Sequence, residues 1–272
     1  MITWAIAWTN AKIVNEYLSY YNLIFLRFLL GFVSLLPFVL SLKKPFPKVK
    51  QYKYILLPSL LFLIYNVAFF KGTDYGLAGK GAILVTTLNP LFTVLIMSII
   101  NKNISTKEII GVLLGIIGGY IIMDLYNIGL KSIFDPGNIY FIICAISWGI
   151  MTVLISYAQK IINPYSFICI CYFITMILSI PFISINEIIT TEYDYKFLIN
   201  FFFVSVGAMS FGTSIYMYYT PILGPSKASI FIFSVPFLAI GMANIFLGEP
   251  FTSNIAIGGI LSLLAIYIVN KK

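Results

Sequence analysis

Histidine is absent from the 272 residues, and cysteine is scarce, with Cys144, Cys169 and Cys171 the whole supply. Without an imidazole there is no ready metal ligand or proton shuttle near neutral pH. Three cysteines, odd in number and all within apolar runs, offer neither a disulfide framework nor metal-ligand spacing, so they read as buried small hydrophobes and no metal or other cofactor is expected. Charge is thin as well: Asp, Glu, Lys and Arg together make 10% of the chain and only nine residues are acidic. None of the nine lies in the middle of an apolar run, which removes the usual carboxylate relay of a proton-driven carrier. Facilitated diffusion or exchange gains from this, while an edge acid such as Asp74 or Glu249 stays open as a coupling group.

What is present is apolar length. Hydrophobic residues make up 60% of the sequence, more than a soluble fold of this size can hide. A bilayer core about 30 Å thick needs roughly 20 residues of helix to cross it. The runs predict an all-α, polytopic membrane protein with ten spans: 2–15, 21–42, 54–72, 77–100, 106–123, 137–158, 165–185, 197–219, 225–247 and 253–270. The first, fifth and tenth have the shortest uninterrupted cores. The N-terminus lacks the basic segment and small-residue cleavage site of a secretory signal, so the first span is expected to be retained.

The formal charge of +8 does not predict a nucleic-acid partner, because its distribution follows topology. With the N-terminus placed in the cytoplasm, the inner loops and tail hold eleven lysines, Lys43, Lys44, Lys160 and Lys227 among them, against one acid, Glu108. The outer side holds four lysines against eight acids, including Glu16, Asp74, Glu187 and Asp194. This positive-inside skew predicts a multi-pass protein of the inner (cytoplasmic) membrane with both termini in the cytoplasm.

The chain also repeats itself. Leu88-Asn89-Pro90-Leu91-Phe92 returns as Ser234-Val235-Pro236-Phe237-Leu238. At a shift of 144 residues Pro37-Phe38 falls on Pro181-Phe182; at 146, Ala82, Pro90 and Thr106 fall on Ala228, Pro236 and Thr252; at 140, Trp8 falls on Trp148. The near-constant offset argues for a duplication, with a first repeat over residues 1–125 and a second over 136–272. Five spans per repeat is an odd number, so the second repeat is expected to be inverted. Inverted-repeat folds commonly enclose a substrate site near the bilayer midplane and expose it alternately to the two sides.

Trp8-Thr9-Asn10-Ala11-Lys12, Leu26-Arg27-Phe28, Tyr65-Asn66, Phe69-Phe70-Lys71-Gly72, Leu88-Asn89-Pro90 and Phe246-Leu247-Gly248-Glu249 resemble, in that order, EamA-type members of the drug/metabolite transporter superfamily. The resemblance implies an exporter or permease for small metabolites, amino acids and related compounds leading. It also implies helices 1–4 and 6–9 around a central cavity, with helices 5 and 10 bracing the halves. Two departures stand out. Helix 1 reads as clipped at its start beside helix 6, and Gly248-Glu249 has Lys102-Asn103 opposite it in the first half.

Pro90 and Pro236 interrupt spans 4 and 9 in mid-run, where a bilayer tolerates a freed carbonyl only beside a neighbour or a cavity. Thr86, Thr87, Asn89 and Thr93 surround the first and Ser234 precedes the second, so both prolines are expected as hinges of cavity helices. The competing reading is that they merely kink the helices while the hydroxyls bond back to their own carbonyls. Tyr65, Asn66 and Phe69 at helical spacing, Phe211 and Ile215 of span 8 matched to Tyr65 and Phe69 with Tyr218 one turn further, and Trp8 with Trp148 are expected to line the same chamber, where aromatic faces cradle an amphipathic solute. Plain packing explains any one ring as well.

Lys12 and Arg27 are the only basic residues clearly inside spans, and an intramembrane charge defaults to a functional hypothesis. A structural network with Glu16 or Asp74 is preferred for them over a carboxylate or phosphate ligand. Gly111, Gly115 and Gly119, with Gly258 and Ser262, form small-residue stripes suited to close helix contact, either between helices 5 and 10 or in a homodimer, with a monomer favoured. The expected partners are thus a small-molecule substrate and the lipid bilayer. Two alternatives are a sugar-phosphate or nucleotide-sugar exchanger, which needs several cations in the cavity, and a polytopic membrane enzyme, for which no acid/base pair or activated nucleophile is present.

Overall fold

The computed structural model describes residues 1–42, 46–102, 104–134, 136–248 and 251–271, and among them there is no β-strand. Lys43, Lys44, Asn103 and Glu249, named above, and Asp135 and Lys272, which belong to the outer acids and inner lysines counted there, lie outside the described residues. The main helices are α1 (Ile2–Val14), α2 (Tyr20–Leu40), α3 (Lys53–Tyr75), α4 (Ala78–Asn101), α5 (Thr106–Ile122), α6 (Pro136–Ala158), α7 (Pro164–Ser179), α8 (Tyr195–Leu223), α9 (Pro225–Phe246) and α10 (Ser253–Asn270). Seven of these, α2, α3, α4, α6, α7, α8 and α9, are long and apolar enough to cross a membrane. The other three, α1, α5 and α10, are shorter apolar helices, at the positions where the sequence shows its shortest cores.

Local chemistry sets the helix ends. Ser105 and Glu108 form a capping box that opens α5, each side chain accepting the other's backbone N–H. Asn163 caps α7 just before Pro164, whose missing N–H costs nothing at a first helical position. Large apolar side chains such as Val33, Ile99, Leu113, Ile177 and Phe202 lie exposed around the outside. Water would penalise such a surface, whereas lipid tails do not.

Packing between helices follows a regular scheme. α6 lies against α3 and α4, α1 lies against α8 and α9, and α2 packs on α7 while α5 packs on α10. Three rings knit the middle: Phe28, Phe62 and Tyr172, from α2, α3 and α7, stand with centroids 5.6 to 5.8 Å apart in edge-to-face pairs. Along the α5–α10 seam Gly118 and Gly258 meet backbone to backbone, and a methyl group built on Gly118 would stand 2.8 Å from the Gly258 carbonyl. Gly111 faces Val269 of α10, whereas Gly115 and Gly119 receive Phe233 of α9 and Thr87 of α4. The glycine stripe is therefore filled from within the chain.

At the end where α1 turns into α2, polar contacts tie the first half of the chain to the second. Glu187 accepts hydrogen bonds from the Ser19 backbone (2.6 Å), the Ser19 hydroxyl (2.8 Å) and the Asn22 amide (2.7 Å). Lys196 pairs with Glu16 at 3.0 Å, both well exposed, so that pair adds little stability. Asp194 caps α8 through the Phe197 N–H and accepts the Tyr17 hydroxyl at 2.8 Å. The Phe197 N–H and then Tyr17 hold its carboxyl below the ordinary carboxylate value, and the same contact raises the Tyr17 hydroxyl.

Two outcomes follow from these contacts. Gly118→Leu forces the α5 and α10 backbones apart and is expected to cost about 1–3 kcal/mol, read as a lowered melting temperature of the detergent-solubilised protein. Because the Asp194 pKa is lowered in the folded state, its stabilisation is complete above the ordinary carboxylate value and is lost as pH falls through the lowered one. Melting temperatures measured across acidic pH should therefore fall less steeply for Asp194→Asn than for the parent.

Candidate functional site

A cavity of about 50 Å³ lies at the centre of the bundle, where α1, α2, α3, α4, α6, α8 and α9 converge. Six of the residues lining it are aromatic, the three tryptophans among them. Trp148 of α6 is the hub: its ring stands 4.8 Å from Tyr65, 5.1 Å from Trp4, 6.0 Å from Tyr216 and 6.1 Å from Phe62. Trp8 and Phe69 meet edge to face at 4.7 Å on the adjoining wall. Polar groups enter from four helices as Arg27, Asn66, Thr86 with Asn89, and Thr213. The combination of broad apolar faces with a few placed polar atoms is the usual make-up of a small-molecule site.

Of the residues singled out from the sequence, Trp8, Tyr65, Asn66, Phe69, Thr86, Asn89, Trp148 and Arg27 line this cavity. Phe211, Tyr218 and Ser234 do not. Phe211 is 61% exposed on the outer surface, and Tyr218 packs beside Tyr165 and Tyr219. The reason is a π-helical stretch, Phe203–Thr213, in the middle of α8. A wider turn shifts the register, so the face of α8 turned to the cavity is Ala208, Met209 and Thr213. A match made by constant offset lands on the wrong face. In α9 a 3₁₀ turn, Phe231–Ser234, presents Ile232 and Val235 to the cavity, while the Ser234 hydroxyl donates to the Phe231 carbonyl at 2.9 Å.

Sequence reasoning missed Trp4, Phe62, Val85, Met209 and Thr213. Trp4 and Phe62 were within reach of helical periodicity, one turn before Trp8 and one turn before Asn66. Thr213 was hidden by the π-helical register. Pro90 and Pro236 are buried, and the Thr86 and Thr93 hydroxyls donate to the carbonyls of Ala82 and Asn89, as the competing reading of that segment required.

The two intramembrane cations part company. Lys12 donates to the Gly76 carbonyl at 3.1 Å, at the end of α3 and away from the cavity. Arg27, 5% exposed, donates from Nε to the Val204 carbonyl at 2.9 Å and from one terminal nitrogen to the Asn66 side-chain oxygen at 2.6 Å. Its guanidinium carbon also stands 5.2 Å from the Phe69 ring centre. Neither cation pairs with Glu16 or Asp74: Glu16 is taken by Lys196, and Asp74 is exposed at a separate recess. Neutral acceptors take the place of the expected acidic network, Gly76 for Lys12 and, for Arg27, Asn66 with a carbonyl of the π-helical stretch. Val204 serves Arg27, Ala208 accepts the Trp4 indole N–H at 3.1 Å, and Met209 accepts the Tyr172 hydroxyl at 3.0 Å.

A family model for EamA-like transporters matches residues 1–124 and 135–271. The chain belongs to the EamA-like transporter family. It is a multi-pass membrane protein and a membrane transporter of that family. An uncharacterized transporter of Archaeoglobus fulgidus is 23% identical over 99% of this chain and 95% of its own. The uncharacterized transporter YoaV of Bacillus subtilis is 23% identical over 98% and 92%. A solved crystal structure at 16% identity superposes on 99% of this chain and 95% of its own with a TM-score of 0.67, which establishes the shared fold.

In this EamA-like chain the bond between Tyr172 and the α8 backbone is open to a direct check. Tyr172→Phe keeps the ring and leaves the buried Met209 carbonyl without its side-chain donor, so a loss of about 1–3 kcal/mol is expected. Thermal unfolding of the two purified proteins in one detergent measures it.

Proposed function

We propose that this protein exports or exchanges small amphipathic metabolites, amino acids and related compounds first among them, across the cell membrane by alternating access. The observation that carries the reading is the central cavity, walled by tryptophan and tyrosine and entered by Arg27, Asn66, Asn89 and Thr213. At about 50 Å³ it holds a few waters rather than a metabolite. It has to widen to admit a substrate, which a rocking carrier does on each cycle. Cavity contacts fall to Trp8, Tyr65, Asn66, Phe69, Thr86, Asn89, Trp148 and, beyond those, Trp4 and Thr213, with Pro90 and Pro236 as hinges of α4 and α9.

The architecture in this reading is ten spans in two inverted repeats, 1–125 and 136–272, with both termini cytoplasmic. The packing scheme supports it. Exchanging α1 to α5 for α6 to α10 turns the contact of α3 with α6 into that of α8 with α1, and α4 with α6 into α9 with α1. The pairs α2 with α7 and α5 with α10 map onto themselves. Such closure under exchange is what a pseudo-twofold axis in the membrane plane requires. A sugar-phosphate exchanger is less favoured, since Arg27 is the one cation among the cavity-lining residues.

Uptake and efflux in proteoliposomes, against a panel of amino acids and related metabolites with and without a pH gradient, test the proposal. Tyr65→Ala and Asn89→Ala are expected to lower flux about tenfold, the scale of one lost substrate contact. Flux no greater than that of protein-free vesicles for every compound would overturn the assignment.

A further inference from the structure

Arg27 is a full positive charge inside a bilayer bundle, and among the described residues it forms no ion pair. Its partners are neutral: a backbone carbonyl of α8, the Asn66 side-chain oxygen and the faces of Phe69 and Phe70. Dipoles and ring faces ease the burial of a cation but do not neutralise it. A guanidinium carries five N–H donors in a planar fork. The two bonds to protein leave donors of that fork for the cavity that Arg27 lines. Among the described residues that line the cavity, none is acidic. A cationic solute entering this space meets like charge with no counterion, whereas a carboxylate meets a planar fork that matches its geometry.

We infer that Arg27 is the specificity-determining residue of the cavity and that the substrate is a monocarboxylate with an apolar body. Its carboxylate sits on Arg27 and its body lies against the rings around Trp148. The inference rests on the transport reading for its setting and sharpens it, since it places uncharged amides and organic cations outside the substrate range.

The chain supplies its own reporter. Its three tryptophans, Trp4, Trp8 and Trp148, all line the cavity, so intrinsic tryptophan fluorescence follows occupancy without any transport assay. Purified protein in detergent is titrated with 4-methylpentanoate, 4-methylpentanamide and 3-methylbutylamine, none of which absorbs at the excitation wavelength. The acid is expected to change the emission saturably, at a concentration about tenfold or more below that of the amide, with the amine weaker still. Arg27→Gln is expected to erase the acid-over-amide preference and Arg27→Lys to keep part of it. If the Arg27 variants fail to fold, the three-ligand comparison on the parent protein decides alone. Equal affinity for acid and amide, or tighter binding of the amine, overturns the inference. The same compounds in proteoliposomes separate the two claims: flux without charge preference sinks this inference and leaves the transporter standing, and acid-selective binding without any flux does the reverse.

Discussion

An arginine held in a low-dielectric bundle has to be satisfied by its surroundings or be pushed out to the headgroups, and here α8 satisfies it with backbone. The π-helical stretch Phe203–Thr213 turns carbonyls toward three other helices, and α1, α2 and α7 each send one donor to it: Trp4, Arg27 and Tyr172. A regular helix with side chains packed down its flank would not present these oxygens so freely. The shape of the cavity follows from that arrangement. Arg27 is fixed by Val204 and Asn66, Trp4 is fixed by Ala208 and Thr213, and Trp148 meets the Trp4 ring edge to face.

Much of the organisation was legible in the residues themselves. Apolar run length marked the helices and singled out the same three short ones, since span length is a direct consequence of bilayer thickness. The side chains of α3 were read onto the cavity because Tyr65, Asn66 and Phe69 obey the ordinary helical period. The reading failed where the period failed. Phe211, Tyr218 and Ser234 were chosen as if α8 and α9 were uniform α-helices, and the π-helical and 3₁₀ turns rotate those positions away. Nothing in a hydropathy pattern announces a change from four residues per repeat to five. The partners of Arg27 were missed for a related reason, because a sequence shows side-chain acids plainly but shows a backbone acceptor at no particular letter.

The end of the bundle where α1 turns into α2 differs from its middle in kind. Between the α1–α2 turn and the segment leading into α8, the ties are charged or strongly polar and sit near water: Glu187 with Ser19 and Asn22, Asp194 with Tyr17, Lys196 with Glu16. Such bonds are individually weak and exchange readily with solvent. Deep in the bundle the ties are ring contacts and buried hydrogen bonds, whose loss has no water to compensate it.

The seam between α5 and α10 has a mechanical consequence. Where Gly118 and Gly258 touch, backbone meets backbone, with the Ile122 side chain of α5 seated on Gly258 and the Val269 side chain of α10 on Gly111. Sliding one helix along the other would drive those two side chains into peptide backbone, so the seam fixes the axial position of α5 on α10.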